Sequence, residues 1–451
     1  MSRLFGTDGV RGIANTELTP ELAFKLGRAA ARVLAAKSER SAPFVVGRDT
    51  RVSGTMLEAA LVAGITSAGR DAVSVGIVPT AAVAIVTRRT GAAAGCMISA
   101  SHNPIDDNGI KFFGSDGLKL SDETENLIED AIENDREDRP TGTGVGVARI
   151  ALNLGANYYD ALYEHAGDLS GLTVVVDAAF GAAYAIAPYV LKKLGATVHE
   201  LNCEADGSRI NVDCGATDLQ PLTNRVRELI ERGEERVLGV AYDGDADRAQ
   251  FVDETGVALN GDHVLLVLAQ ALHRSGDLAG DAVVGTVMSN LGLEEALKRS
   301  GITLLRAPVG DRYVLEAMRA GGYTLGGEQS GHIIDLRHNT TGDGPMTTVT
   351  LLSLLAHSKI TLHEAATQMH SYPQVLVSVR AAKEALDGAS VAEAIAQAER
   401  RLGATGRVLV RASGTEPVIR IMIEGEDKAE IERLAGQLAT AIAGSSTQAR
   451  S

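Results

Sequence analysis

Tryptophan is absent from this chain of 451 residues, cysteine occurs three times, and aromatic residues make up only 4%. With 45% hydrophobic residues, in which Ala, Val and Leu are prominent beside abundant Gly, the composition describes a soluble α/β protein rather than a β-sandwich or a disordered chain. Cys96, Cys203 and Cys214 stand far apart and lack the paired spacing of a metal site, which points to reduced thiols and a cytoplasmic location. No segment reaches the roughly 18 uninterrupted apolar residues of a membrane span, and Met1-Ser-Arg-Leu-Phe-Gly-Thr-Asp8 lacks the apolar run of a signal peptide. Positive charge is also scarce: 43 Lys and Arg face 58 Asp and Glu, for a net charge of −15. That balance excludes a nucleic-acid groove, which needs a basic surface to displace counterions. An anionic substrate would require basic residues focused locally against the overall field.

What is present is a repeating strand order. The length implies about three or four domains. Thr19 and Pro20 start a helical pattern, and Phe44 to Arg51 reads as a buried strand ending in a charged loop. A strand over Asp71 to Val78 and another ending at Ser101 follow. Leu172 to Asp177, Ala196 to Leu201 and Val237 to Tyr242 repeat the order. So do Ala282 to Thr286, Ile302 to Leu305 and Tyr323 to Gly326. Three similar βαβαβ units, assigned to residues 1–150, 151–255 and 256–370, are therefore expected. Beyond Ser371-Tyr-Pro373 the pattern changes to a smaller α+β domain over 371–451, with a capping box at Ser390-x-x-Glu393 and a helix from Asp427. Residues 444–451 are expected to lack structure.

Polar clusters close the late strands. Gly95 to Pro104 is an apolar run that ends in Ser-Ala-Ser-His-Asn-Pro, placing the Ser101 hydroxyl at the C-terminal edge of a strand, where open α/β sheets bind ligands. A turn that Ser101 and Asn103 merely satisfy is the plainer alternative. The residues Asp106 to Lys111 read as a polar loop beside it. Asp243, Asp245 and Asp247 crowd three carboxylates into five positions, which requires a cation or a very polar loop, and oxygen-only ligation suits Mg²⁺. A helix-loop-helix calcium site is rejected because Arg248 occupies the glycine position and the preceding run is strand-like; a solvated acidic turn stays open. Glu328, Ser330 and His332 alternate on a glycine-flanked loop and could line a sugar pocket, or form an ordinary hairpin. Arg411, Ser413, Gly414, Thr415 and Arg420 offer guanidinium, hydroxyl and amide groups to a phosphate, or cap a surface turn. A hydroxyl nucleophile beside Mg²⁺ with a distant phosphate anchor describes phosphoryl transfer on a sugar phosphate. Arg11, Lys111 and Arg248 are the candidate cations to offset the accumulated negative charge.

In the ordered motifs FGTDGVRG, ISASHNP, DGDADR, GEQSGH and RASGTEPVIR the chain resembles the α-D-phosphohexomutases over essentially its whole length. The resemblance implies four domains around a central cleft, with Ser101 as a phosphoserine that binds Mg²⁺ together with Asp243, Asp245 and Asp247. It implies that Glu328 and Ser330 contact sugar hydroxyls and that Arg248 helps bind the substrate. Arg411, Ser413, Gly414, Thr415 and Arg420 would hold the distal phosphate, while Arg11, Lys111 and His332 would support the transition state or transfer protons. Gln329, where phosphomannomutases commonly carry Met, implies an amino sugar: glucosamine 6-phosphate and glucosamine 1-phosphate, interconverted through glucosamine 1,6-bisphosphate. A phosphoglucomutase or phosphomannomutase activity is the alternative within the family, and a non-catalytic sugar-phosphate sensor the alternative outside it. A phosphosugar is the expected partner, with self-association as a homodimer and priming of Ser101 by a kinase or by autophosphorylation. A hinge near Ser371 to Pro373 is expected to let the last domain release and regrip. Ala246 and Ala412 depart from the glycine and proline common in relatives.

Overall fold

The computed structural model describes residues 3–6, 8–35, 42–134, 139–358, 360–412 and 417–448. Its first sheet holds β1 (Val10–Ile13), β2 (Phe44–Arg48), β3 (Ala72–Ile77), β4 (Ala94–Ile98), β5 (Asp107–Gly114) and β6 (Ala148–Ile150), in the order β1-β5-β4-β2-β3-β6. Strands β4, β2, β3 and β6 run parallel, whereas β5 returns antiparallel between β4 and β1. The central strands are continuous apolar runs because helices cover both faces. Phe44 and Val46 pack with helices Pro20–Ala35 and Gly54–Ser67, while Val45 and Met97 pack with helix Thr80–Arg89. Thr19 starts the first helix as its composition predicts, its Oγ1 accepting from the Leu22 N–H at 3.2 Å.

The second sheet, with β7 (Thr173–Asp177), β8 (Thr197–Leu201), β9 (Val237–Tyr242), β10 (Ala249–Val252) and β11 (Ala258–Leu259), has the order β11-β10-β9-β7-β8. The third has β12 (Ala282–Thr286), β13 (Thr303–Ala307), β14 (Leu325–Gly327) and β15 (Ile333–Asp335) in the order β13-β12-β14-β15. One plan recurs in all three. The first parallel strand lies in the middle, the second pairs on one side, the third on the other, and an antiparallel strand then returns along the third. The polar loop expected over Asp106 to Lys111 is instead the turn into β5 and half of that strand. Asp106 is exposed, but the polar residues of the strand are paired: Asp107 Oδ2 accepts from Asn103 Nδ2 at 2.9 Å, Asn108 Nδ2 donates to Ser53 Oγ at 2.9 Å, and Lys111 is buried.

By contacts the chain divides into two compact units, one of residues 1–289 and 300–368, the other of 290–299 and 369–451. In the second, β16 (Gln374–Arg380), β17 (Gly406–Ala412) and β18 (Val418–Gly425) form an antiparallel sheet ordered β16-β18-β17. Ile419, Ile421 and Ile423 of β18 pack with Ile431 and Leu438 of helix Lys428–Gln448. This is the smaller α+β domain expected from the change of pattern. Two local expectations are corrected. Helix Ala389–Leu402 begins after Gly388, so Ser390 lies inside it and forms no cap. The last helix runs on to Gln448, which gives residues 444–448 a structure. Ser371 to Pro373 falls within the second unit, where Asn290 and Tyr372 exchange hydrogen bonds of 2.9 and 3.1 Å; the chain passes between units at 289/290, 299/300 and 368/369.

Candidate active site

The three clusters singled out in the first 370 residues occupy equivalent places, because each lies in the turn between the third parallel strand and its antiparallel return. Ser101 falls between β4 and β5, the aspartates between β9 and β10, and Glu328, Ser330 and His332 between β14 and β15. Strand ends at one edge of a parallel sheet leave backbone and side-chain groups free to face a ligand.

Ser101 is buried and adopts a left-handed backbone, φ +53°. Its N–H donates to Ser99 Oγ at 2.8 Å, and its own Oγ donates to Asp243 Oδ2 at 2.6 Å, with His102 Nδ1 3.2 Å away. The hydroxyl and the acidic triplet therefore meet directly. The turn carrying the triplet is tight: Ala246 donates its N–H to the Asp243 carbonyl at 3.0 Å and has φ +57°, the left-handed region where a glycine is easier to accommodate.

Among the described residues, Asp243, Asp245 and Asp247 are the cluster whose candidate ligand atoms all lie within 4.8 Å of one another, and all three are buried. Asp245 Oδ2 accepts from Thr80 Oγ1 at 2.5 Å and from Lys111 Nζ at 2.8 Å. The other oxygen, Asp245 Oδ1, and Asp247 Oδ1 are buried without a hydrogen-bond partner. An unpaired buried carboxylate oxygen costs several kcal/mol if nothing compensates it. Burial, then Asp247 and Asp245, push the Asp243 carboxyl well above the usual carboxylate range. Three oxygen donors, two of them orphaned, fit a small hard cation.

Around the triplet runs a closed chain of opposite charges. Lys111 Nζ reaches Asp8 at 2.9 Å and Asp247 at 3.8 Å; Asp8 also accepts from Arg11 and Lys119, each at 2.5 Å. Lys119 pairs with Asp311, and His332 bridges Asp311 and Asp247 at 3.4 and 3.5 Å. Burial alone would lower the Lys111 pKa, but Asp245, Asp8 and Asp247 overrule it and raise it. Burial likewise opposes charge on His332, yet Asp247, Asp311 and Glu328 push it up to about 9. Gly342 packs against the imidazole, its N 3.2 Å from Nε2, and its missing side chain leaves room for the ring. Burial lowers the Arg248 pKa while Asp243, Asp247 and Glu328 raise it, and the net shift is upward.

Glu328 accepts from the Gly310 N–H at 3.0 Å through Oε1, and Ser330 Oγ has no hydrogen-bond partner although buried. Gln329 Nε2 donates to the buried Asp262 at 3.2 Å. In the second unit Arg411 and Arg420 stand directly opposite on β17 and β18. Burial and then Arg420 lower the Arg411 pKa. Ser413, Gly414 and Thr415 lie outside the described residues.

Sequence reasoning passed over Asp8, Asp49, Arg51, Thr80, Lys119, Asn211 and Asp311 as parts of this site. The charged ending Gly47-Arg-Asp-Thr-Arg51 was the one visible signal for two of them. Lys119 and Asp311 are 192 positions apart, and nothing local announces their pairing.

A fold of three repeated α/β domains with a serine on a metal-type aspartate cluster defines a class, and comparison with known families supplies it. Residues 2–139, 156–256 and 260–372 match the phosphoglucomutase/phosphomannomutase alpha/beta/alpha domains I, II and III, and residues 375–441 match that family's C-terminal domain. The chain belongs to this family, the α-D-phosphohexomutases. Within it, the chain is 50% identical over 448 residues to the phosphoglucosamine mutase of Thermoanaerobacter sp. (strain X514), covering 98% of this chain and 99% of that one. It is 51% identical over 447 residues to the phosphoglucosamine mutase of Pelotomaculum thermopropionicum, with the same coverage. A phosphoglucomutase/phosphomannomutase family protein of Burkholderia thailandensis shares the fold at a TM-score of 0.82 and 24% identity, over 99% of this chain and 98% of that one. So does Aspergillus fumigatus N-acetylphosphoglucosamine mutase, solved with GlcNAc-6P and magnesium, at 0.67 and 18%, over 98% and 96%. Among the described residues, no helix is long and apolar enough to cross a membrane.

Proposed function

We propose that this chain interconverts glucosamine 6-phosphate and glucosamine 1-phosphate through a phosphorylated Ser101. The observation that carries the reading is Ser101 Oγ at 2.6 Å from Asp243, inside a buried triplet with two orphaned carboxylate oxygens. In the first half-reaction the bond between Ser101 Oγ and phosphorus breaks as one forms to the sugar's 1-hydroxyl oxygen. The hydroxyl loses a proton to the cluster and Ser101 Oγ gains one. The product, glucosamine 1,6-bisphosphate, turns end for end, and its C6 phosphate returns to Ser101.

Asp243, Asp245 and Asp247, with the phosphate on Ser101, would hold Mg²⁺, which supplies charge neutralisation at the transferring phosphoryl group. Arg11, Lys111 and Arg248 add fixed positive charge beside it, and His332 is assigned to proton handling. Glu328 and the unpartnered Ser330 hydroxyl are assigned to sugar hydroxyls. Arg411 and Arg420, opposite one another on β17 and β18, are assigned with Ser413, Gly414 and Thr415 to the distal phosphate. Half identity to phosphoglucosamine mutases supports the amino-sugar assignment. Priming of Ser101 is assigned to a kinase or to autophosphorylation.

Isomerisation of glucosamine, glucose and mannose 6-phosphates with Mg²⁺ and a bisphosphate primer tests the proposal. Glucosamine 6-phosphate is expected to give the highest kcat/KM, and Ser101→Ala to lose more than about 10³-fold in kcat while keeping its melting temperature. A fully active Ser101→Ala would remove the phosphoserine, and turnover confined to glucose or mannose phosphates would reassign the substrate.

A further inference from the structure

The Ser101 backbone is held from two directions by groups that the chemistry above does not use. Arg51 is completely buried, and all five of its guanidinium N–H groups are engaged within the protein. Nε donates to Asp49 Oδ2 at 3.1 Å. One terminal nitrogen donates to the carbonyls of Pro104 and Asp107 at 2.5 and 2.9 Å, and the other to those of Ser101 and Asn103 at 2.9 and 2.8 Å. Four carbonyls of a single loop thus converge on one planar cation.

The orientation of that cation is fixed in turn. Asp49 accepts from the Arg51 N–H at 2.9 Å and from Ser99 Oγ at 2.6 Å, and the same Ser99 oxygen accepts the Ser101 N–H. Both ends of the Ser101 residue, its N–H and its C=O, therefore trace back to the Asp49–Arg51 pair. Asn211, from the loop after β8, approaches from the other side and donates Nδ2 to the Ser101 carbonyl at 2.9 Å and to the Asn103 carbonyl at 3.4 Å. Gly244, between the metal-type aspartates, completes the clamp: a Cβ there would fall 2.6 Å from the Ser101 carbonyl oxygen.

A left-handed serine is strained and persists only where its surroundings over-determine it. Here the over-determination is visible, and it points the hydroxyl at Asp243. We infer that Arg51 and Asn211 are positioning residues for phosphoryl transfer, clamping the strained Ser101 backbone so that its Oγ stays aligned with the aspartate triplet through both half-reactions. With every N–H occupied, Arg51 has no donor left for a substrate phosphate, so its contribution runs through Ser101 alone. The inference rests on the reading of Ser101 as the phosphoryl carrier.

The test uses full-length enzyme carrying Asn211→Ala, Arg51→Lys or Ser101→Ala, with kcat and KM for glucosamine 6-phosphate, thermal melting, and ³¹P NMR after priming with a sugar bisphosphate. Lysine keeps the charge beside Asp49 but cannot bridge four carbonyls, so Arg51→Lys is expected to lower kcat by about 100-fold, the scale of a misplacement near 1 Å. Asn211→Ala is expected to lower kcat about tenfold, with KM within twofold and a displaced phosphoserine resonance. Should Arg51→Lys fail to fold, Asn211→Ala decides the matter. Wild-type kcat with an unmoved ³¹P signal in Asn211→Ala, or a loss confined to KM, overturns the clamp. An active Ser101→Ala would instead overturn the underlying reading, so the two failures are distinguishable.

Discussion

Asp49 shows how a single buried carboxyl links the stability of this protein to its active loop. Burial, only partly offset by Arg51 and Ser99, pushes its pKa up to about 6, whereas an unfolded chain would give about the ordinary 3.8. The folded protein then binds an extra proton between those values, so the contribution is fully present below pH 4 and is lost as pH rises through 6, by at most about 3 kcal/mol. Relative to Asp49→Asn, the wild type is therefore expected to lose stability as pH climbs from 4 to 6, read as a shift in urea midpoint. A pH-independent difference between the two would contradict the raised value. Asp49 and Arg51 were legible only as a charged loop, because an ion pair at a strand end looks the same in sequence whether solvent or four carbonyls surround it. Ser101 and the triplet were easier to find, since each interrupts an apolar strand with polar groups that a simple turn would not require. The consequence of Ala246, noted as a departure from the usual glycine, needed coordinates: its φ of +57° explains why glycine is commoner there.

Helices Pro20–Ala35 and Gly54–Ser67 approach closely because each offers a glycine to the other. A Cβ on Gly64 would lie 2.1 Å from the Phe24 carbonyl oxygen, and one on Gly27 would lie 2.3 Å from that of Leu61. Helix propensity favours alanine over glycine by up to about 1 kcal/mol, but overpacking against backbone costs about 1–3. Gly64→Ala is thus expected to destabilise the first domain. Gly436→Ala, in the exposed face of the last helix with open space around it, is expected to stabilise by about 0.5–1 kcal/mol. Thermal melting of both variants checks the pair, and equal signs would defeat the argument. The elements themselves followed well from hydrophobic pattern and turn signals, down to the Thr19 start of the first helix. The exceptions have physical causes. Strand β5 was hidden because its polar residues are satisfied internally. The Ser390 box failed because the helix starts two residues earlier, with Gly388 at its N-cap directly after the 3-10 turn Lys383–Asp387.

At the scale of the whole molecule, a chain with net charge −15 must still attract a dianionic substrate. Arg11, Lys111, Lys119, Arg248 and His332 gather around the acidic cluster, so that buried cations and carboxylates alternate rather than segregate, and on the proposed chemistry they offset the overall field at the site. Three copies of one topology each contribute a turn to the first compact unit, and a separate unit carries the arginine pair. The repetition was visible in the order of strands, while the cross-domain pairings could come only from the folded chain. On the proposed chemistry, Ser101 passes its own phosphoryl group to the sugar. Enzyme labelled with ³²P at Ser101, mixed with unlabelled glucosamine 6-phosphate for a single turnover, is expected to release the label as sugar phosphate at the rate of isomerisation. Isomerisation that proceeds while the label stays on the protein would contradict it.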